Sequence, residues 1–252
     1  MTHVKYLLIP FVLLLCLAAC SPLFLGKTPS EENMIEALKE ALTIGAERAG
    51  SSLNKTDAFL GSVYKIMLPP EASVITDNIS NIPGGQALVD DVIERINRAA
   101  ENAAEKIAPI FSDAIVEMTF SDAVNILKGD DDAATAYLQE TTSPALKEAF
   151  KPDLDDALQA PIVLNISADD AWTNLTTAYN TYVDTYNTLN SLMGNTDRLS
   201  YVNVDLSDYV LDKALYAVYT EMAKVEKQIR DDPAGFASNI IETVFEWAKG
   251  NK

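Results

Sequence analysis

Histidine occurs once in the 252 residues, as His3, and cysteine twice, as Cys16 and Cys20. Everything beyond position 20 therefore lacks both imidazole and thiol. That stretch cannot build a Ser-His-Asp or Cys-His catalytic site, a His- or Cys-ligated zinc site, a His-ligated haem or an iron–sulfur cluster, because each depends on one of those side chains. It cannot form a disulfide within itself either, so its fold must rest on a core. Positive charge is also scarce, with 19 Lys and Arg against 37 Asp and Glu and a net charge of −18. A chain of that sign repels phosphate backbones and anionic headgroups, which excludes nucleic acid as a partner. What the chain has in quantity is apolar residues, 48 % of the total, enough over this length for one sizeable core.

The beginning of the chain is organised differently from the rest. Lys5 is its only Lys or Arg before an apolar run from Leu7 to Leu17, and small residues Ala18 and Ala19 follow. A positive start, a short apolar stretch and small residues make a secretory signal. The run is too short to span a bilayer, which takes roughly 20 apolar residues, and Pro10 interrupts it. Leu17-Ala18-Ala19-Cys20 resembles the lipobox of bacterial lipoproteins, in which the final Cys is acylated on sulfur and becomes the first residue after cleavage. The resemblance implies a signal peptide over residues 1–19, lipid attachment at Cys20 and a lipidated tether over residues 20–29. Ser21 rather than Asp follows the Cys, and the lipoprotein sorting rule then implies the periplasmic face of the outer membrane. Cys16 leaves with the peptide.

Residues 30–252 read as helix almost throughout. Ser30 suits an N-cap with Glu31 and Glu32 in the first turn, and Ile35, Leu38, Leu42, Ala46, Ala49 and Leu53 recur at helical steps. Pro83-Gly84-Gly85 opens a long alanine-rich segment in which Leu88, Val92, Ile96, Ala99, Ala103, Ile107, Ile110, Ala114 and Met118 form one stripe. Because that stripe continues past Pro109, the pattern predicts a long helix kinked there or two nearly collinear helices. Short helices are expected over residues 120–160, broken by Gly129, Pro144 and Pro152.

Two later segments carry heptad seams: Trp172, Leu175, Tyr179, Tyr182, Tyr186, Leu189 and Met193, then Leu211, Leu215, Val218, Met222, Val225 and Ile229. The connection from Gly194 to Asp205 is long enough for the helices to return antiparallel with a shared dry face. Strand signals are confined to "PIVLNI" and "LSYVNVDL", too little for a sheet. The fold class expected is all-α, a single multi-helix, bundle-like domain with an antiparallel helical hairpin in its C-terminal half.

Candidate sites are few. Gly129-Asp130-Asp131-Asp132 gathers carboxylates but lacks the alternating spacing of an EF-hand loop, so caps and helix dipoles account for it better than a cation does. Ser62-Val63-Tyr64-Lys65 matches the S-x-x-K of penicillin-interacting serine enzymes and Tyr201-Val202-Asn203 mimics a second element, yet no Lys-Thr-Gly follows and the required sheet is missing. Four Asn-x-Ser/Thr sequons, at Asn54, Asn78, Asn165 and Asn174, follow from a composition rich in Asn and Thr. The stripe of Tyr179, Tyr182 and Tyr186 is either core or the lining of an apolar pocket.

The stretch "INRAAENAAEKIAPIFSDAIVEMTFSDAVNILKGDDDAATAYLQETTSPALKEAFKP", the later "DYVLDKALYAVYTEMAKVEKQIRDDPAG" and the terminal "VFEWAKG" resemble the DUF4197 family, bacterial envelope proteins built around an all-helical domain of unknown function. The likeness departs between Ala171 and Asn203, where members are usually shorter. It implies fold and extent and carries over no catalytic, cofactor-binding or metal-binding residue. With Cys20 as the one assigned site, the functional expectation is a non-enzymatic lipoprotein that meets an envelope protein partner or scaffolds an assembly. The alternative is a helical carrier for an apolar small molecule or lipid.

Overall fold

A computed structural model of the chain describes residues 28–120, 123–161 and 165–251. Its first helix, α1 (Glu31–Leu53), begins where the Ser30 hydroxyl accepts the Asn33 amide at 3.2 Å, with Glu31 and Glu32 in the first turn. Leu38, Leu42, Ala46, Ala49 and Leu53 are buried along it as their spacing predicts. Small residues let neighbours come close: a Cβ at Gly50 would stand 3.3 Å from the carbonyl oxygen of Ala104. After a loop and the short α2 (Ser73–Asp77), Gly84 takes a left-handed φ of 69°, a conformation glycine adopts without cost, and opens α3 (Gly85–Ala103).

The long stripe does break, but ahead of Pro109. A 3-10 turn over Ala104–Lys106 separates α3 from α4 (Ile107–Glu117). A proline ring collides with the carbonyl four residues upstream, which places the disturbance at residue 105. The break also rotates the buried face. Ile107, Phe111 and Ile115 are buried in α4, whereas Ile110 and Ala114 of the expected stripe are only partly so.

Residues 120–160 correct the expectation of several short helices. After α5 (Ala123–Lys128), one continuous helix, α6 (Ala133–Gln159), runs through Pro144 and Pro152. Both prolines lie on its exposed side, where the carbonyls they leave unbonded face water. Opposite them Leu138, Leu146, Phe150, Leu154 and Leu158 are buried, and that burial outweighs the local cost of the prolines.

The chain ends in α7 (Ala168–Leu192), α8 (Leu206–Asp231) and α9 (Asn239–Lys249). The described residues are helical with no strand, which is the all-α domain expected. The shared seam between α7 and α8, however, is not how they pack. α8 is the central helix, lying on α1 and α6, while α7 lies on α3 and to a lesser extent α6. Each seam found a closer partner earlier in the chain. Leu211, Leu215, Val218, Met222, Val225 and Ile229 are all buried, but against α1 and α6 rather than against α7. On α7, apolar burial holds for Trp172, Leu175, Tyr179 and Val183 and then fails, and Leu189 and Met193 face solvent. Among the described residues no helix is long and apolar enough to cross a membrane.

Candidate functional site

The segment predicted as strand, "LSYVNVDL", forms no strand among the described residues: Leu199 to Asp205 are loop that pairs with no strand and Leu206 opens α8. That loop runs back along α7 as a strap, and side chains of α7 hold its main chain. Asn187 makes a reciprocal pair with Leu199, its Oδ1 accepting the Leu199 amide at 2.9 Å and its Nδ2 donating to the Leu199 carbonyl at 3.1 Å. Asn180 does the same with Val202, at 3.1 Å in each direction. Between the clamps the Tyr179 hydroxyl donates to the Ser200 carbonyl at 3.0 Å, and further along the Trp172 indole donates to the Val204 carbonyl at 3.2 Å. The spacing explains the fit. Two residues seven apart on a helix are separated by about 10.5 Å, and three residues of extended chain cover about 9–10 Å. The same tripeptide, Tyr-Asn-Thr, stands at 179–181 and 186–188. That repeat was the available sequence signal for the clamps.

The device recurs on α3. There Asn97, fully buried, accepts the Ile66 amide and donates to the Ile66 carbonyl, each at 2.8 Å. Glu101 accepts the Phe59 and Leu60 amides at 3.0 and 3.2 Å, so α3 pins the loop that follows α1. From the other side, Tyr64 of that loop donates to Glu221 at 2.6 Å, and Lys224 donates to the Tyr64 oxygen and to Glu221 at 2.8 and 2.7 Å. Burial and the Glu221 carboxylate push the Tyr64 phenol up. Partial burial works against the Glu221 carboxylate, but its bonds to Lys224 and Tyr64 win and lower it.

Beyond the end of the strap's grip, α7 turns apolar side chains outward. Leu189, Leu192 and Met193 are 52, 79 and 67 % exposed, and Tyr201 of the strap is 57 % exposed. Leu192 and Tyr201 share an open depression of about 370 Å³ with Asp184, Asn187, Thr188, Ser191 and Arg198. Nearby on α7, Asn190 is buried: its carbonyl and Oδ1 accept from Asn195 at 2.8 and 3.3 Å, and its Nδ2 finds no hydrogen-bond partner among the described residues.

The other candidates do structural work. The Ser62 hydroxyl donates to the Ala58 carbonyl at 2.5 Å, and Lys65 meets Ser62 only through its main chain, the Lys65 amide donating to the Ser62 carbonyl at 3.3 Å while the Lys65 side chain faces solvent. A different Ser and Lys do meet. Lys151 of α6 donates to Ser207 at 2.6 Å, and Ser207 in turn donates to Asp155. Partial burial works to lower the Lys151 ammonium, but Asp208 and Asp155 outweigh it and raise it. A charged ammonium cannot take the hydroxyl proton, so the pair is a brace between α6 and α8. Asp169, at the start of α7, sits beside the same group. Burial first, then Asp155, Asp170 and Asp205, push its carboxyl above the usual range.

A carboxyl raised in the folded state opposes folding once it ionises, so stability is gained as pH falls through its folded value and is lost above it. Asp169→Asn should therefore raise the melting temperature at neutral pH by about 1–2 °C, small because solvent and salt screen a partly exposed group. The gain should vanish below the ordinary Asp range; an equal gain at both ends of a pH series would refute this account.

Asp132 is the N-cap residue of α6, but its side chain caps nothing. The carboxylate that caps α6 is Glu226, from α8. It accepts the Ala134 and Thr135 amides at 2.9 and 2.8 Å and the Thr135 hydroxyl at 2.7 Å. Arg230, one turn on, pairs with Glu226 at 2.6 Å and donates to the Leu127 and Ile126 carbonyls at the end of α5, at 2.7 and 3.1 Å. Thus the expected capping by Asp130 to Asp132 is corrected. Asp131 instead pairs with Lys227 on the surface. Among the described residues no group of carboxylates is placed to hold a metal ion.

Cys20 lies outside the described residues. Of the tyrosine stripe, Tyr179 is fully buried, while Tyr182 and Tyr186 are half-buried, and the three rings stand 6.4 and 6.0 Å apart in succession. The stripe is core at its first member and rim at the next two.

The described residues thus form an all-helical domain in which buried polar side chains tie loops and helix ends to neighbouring helices. The profile of the family described as "Protein of unknown function (DUF4197)" matches residues 28–246, and the chain belongs to that family. No curated protein and no solved structure matches it significantly.

Proposed function

We propose that this chain is a lipid-anchored, non-enzymatic interaction module of the bacterial envelope, held at the periplasmic face of the outer membrane and meeting a protein partner through the end of α7. The observation that carries the reading is the outward-facing set of Leu189, Leu192, Met193 and Tyr201, apolar surface on an otherwise strongly acidic chain. It is supported by the lipobox-like Leu17 to Cys20 and by the lack of His and Cys after position 20.

A photo-crosslinking residue placed at Leu192 in growing cells should yield a discrete adduct, and one at the exposed Glu105, in the turn between α3 and α4, should not. Monomer alone from both positions would overturn the reading. The anchor is tested separately. Cys20→Ala should leave the chain unprocessed or soluble; retention on membranes after carbonate washing would show that Cys20 is not the attachment point.

A second reading, a carrier for an apolar small molecule or lipid, is favoured by a cleft of about 460 Å³ in which Leu60, Met67, Ile79, Val89 and Ile93 meet. Organic extracts of the purified protein, compared with those of Ile93→Lys, test it, and identical extracts would remove it.

A further inference from the structure

Resting on the interaction reading, we propose that the strap face of α7 is a groove for an extended polypeptide segment from a partner, and that residues 198–204 occupy it as an internal, exchangeable ligand. Recognition there is of main chain. The six strap groups bound by Asn180, Asn187, Tyr179 and Trp172 are the amides and carbonyls of Leu199 and Val202 and the carbonyls of Ser200 and Val204. None of these bonds involves a strap side chain, although the Tyr201 hydroxyl separately donates to Asp184 of α7 at 2.6 Å; the groove reads chiefly an extended backbone, with apolar positions at Leu199 and Val202. Amide clamps beside aromatic rings, meeting a chain every third residue, are the means by which extended and polyproline-like peptides are held.

Two further observations point to an outside occupant. The strap buries few side chains: Val202 is buried and Leu199 and Val204 are half-buried, while Arg198, Ser200, Tyr201 and Asn203 face solvent. A segment with so few buried apolar side chains opens at lower free energy than the core helices. Past the Asn187 clamp the connection still touches α7, Asn195 donating to the Asn190 carbonyl and Oδ1 at 2.8 and 3.3 Å, but Leu189, Leu192 and Met193 stay exposed around that contact. Asn and Thr are poor helix formers. A helix that carries Tyr-Asn-Thr twice at a spacing of seven therefore gives up propensity for the face it presents. The partner segment that fits is extended, with a β-branched residue for the Val202 position, an apolar residue three before it, and net positive charge to suit a chain at −18.

The test uses the full chain in detergent micelles and a fluorescent peptide of residues 195–205. In Leu199→Gly/Val202→Gly, where the strap is loosened, the peptide should bind saturably and at least ten-fold more tightly than to the wild type, in which the strap competes. Adding Asn180→Ala and Asn187→Ala should weaken that binding ten-fold or more, and N-methylation of the peptide at its Leu and Val amides should abolish it. Absence of binding to the loosened chain, or binding indifferent to the two asparagines, overturns the proposal. Should the loosened chain fail to fold, hydrogen exchange on the wild type decides. The Leu199 and Val202 amides should exchange by local opening, at least a hundred-fold faster than those of Val218 and Met222; exchange only at the rate of global unfolding overturns it. Loss of the groove with Leu192 adducts intact would remove this inference and leave the interaction module standing.

Discussion

Glu226→Ala should destabilise the chain by about 3–5 kcal/mol, read as a lower urea midpoint at an unchanged slope. The carboxylate is almost wholly buried and serves three parties at once. It satisfies two amides at the start of α6, where Asp132 supplies no side-chain cap, it accepts the Thr135 hydroxyl, and it neutralises Arg230. Alanine leaves those amides unpaired and a buried guanidinium without its counter-charge, and a break of that kind exceeds the net worth of the intact pair. Arg230→Ala should act similarly, since it frees the Glu226 charge and strips the Ile126 and Leu127 carbonyls at the end of α5. Arg230→Lys should not rescue, because the bonds diverge from Nε, Nη1 and Nη2 toward three different acceptors and an ammonium cannot reproduce the fork. In the double variant Glu226→Leu/Arg230→Met the loss should fall well below the sum of the singles. A Glu226→Ala chain within about 1 kcal/mol of wild type would show that the α5–α6 junction is held by something else.

That junction marks the limit of what local patterns reveal. The Ser30 cap, the buried stripe of α1 and the six-residue seam of α8 depend on spacing within one helix, and each was legible. Partner choice was not. The seams of α7 and α8 look complementary along the chain, yet α1 and α6 cover α8 while α3 covers α7, because heptad spacing says which face is apolar and not which neighbour will meet it. Pro144 and Pro152 misled in the opposite direction. Each is a local penalty on a helix whose other face buries Leu146, Phe150, Leu154 and Leu158, and tertiary burial prevailed. Nothing local marks Glu226 and Arg230, since the groups they cap lie about a hundred positions away. The Asn clamps were half legible: the repeated Tyr-Asn-Thr is visible in the sequence, but its meaning waits on the extended segment that lies across it.

The tyrosines of α7 should separate into unequal ranks under truncation. Tyr179→Ala should cost about 3–5 kcal/mol, since its ring is fully enclosed and its removal leaves a cavity in the face that packs on α3. Tyr179→Phe keeps that ring and loses only the bond to the Ser200 carbonyl, a net loss of about 0.5–1.5 kcal/mol, because water can reach the strap once the hydroxyl is gone. Tyr186, half-buried one heptad on, has less area to lose, and Tyr186→Ala should cost about 1–2 kcal/mol. Val218→Ala, in the centre of α8, provides a reference for a wholly buried aliphatic residue and should fall between the tyrosine extremes. Thermal melts of the four variants read the order directly. Equal losses at Tyr179 and Tyr186 would mean that the groove is packed core along its whole length, with no rim for a partner to reach. A Tyr179→Ala chain melting like wild type would mean that the ring is held by the strap alone, and that α7 is anchored by Trp172, Leu175 and Val183 without it.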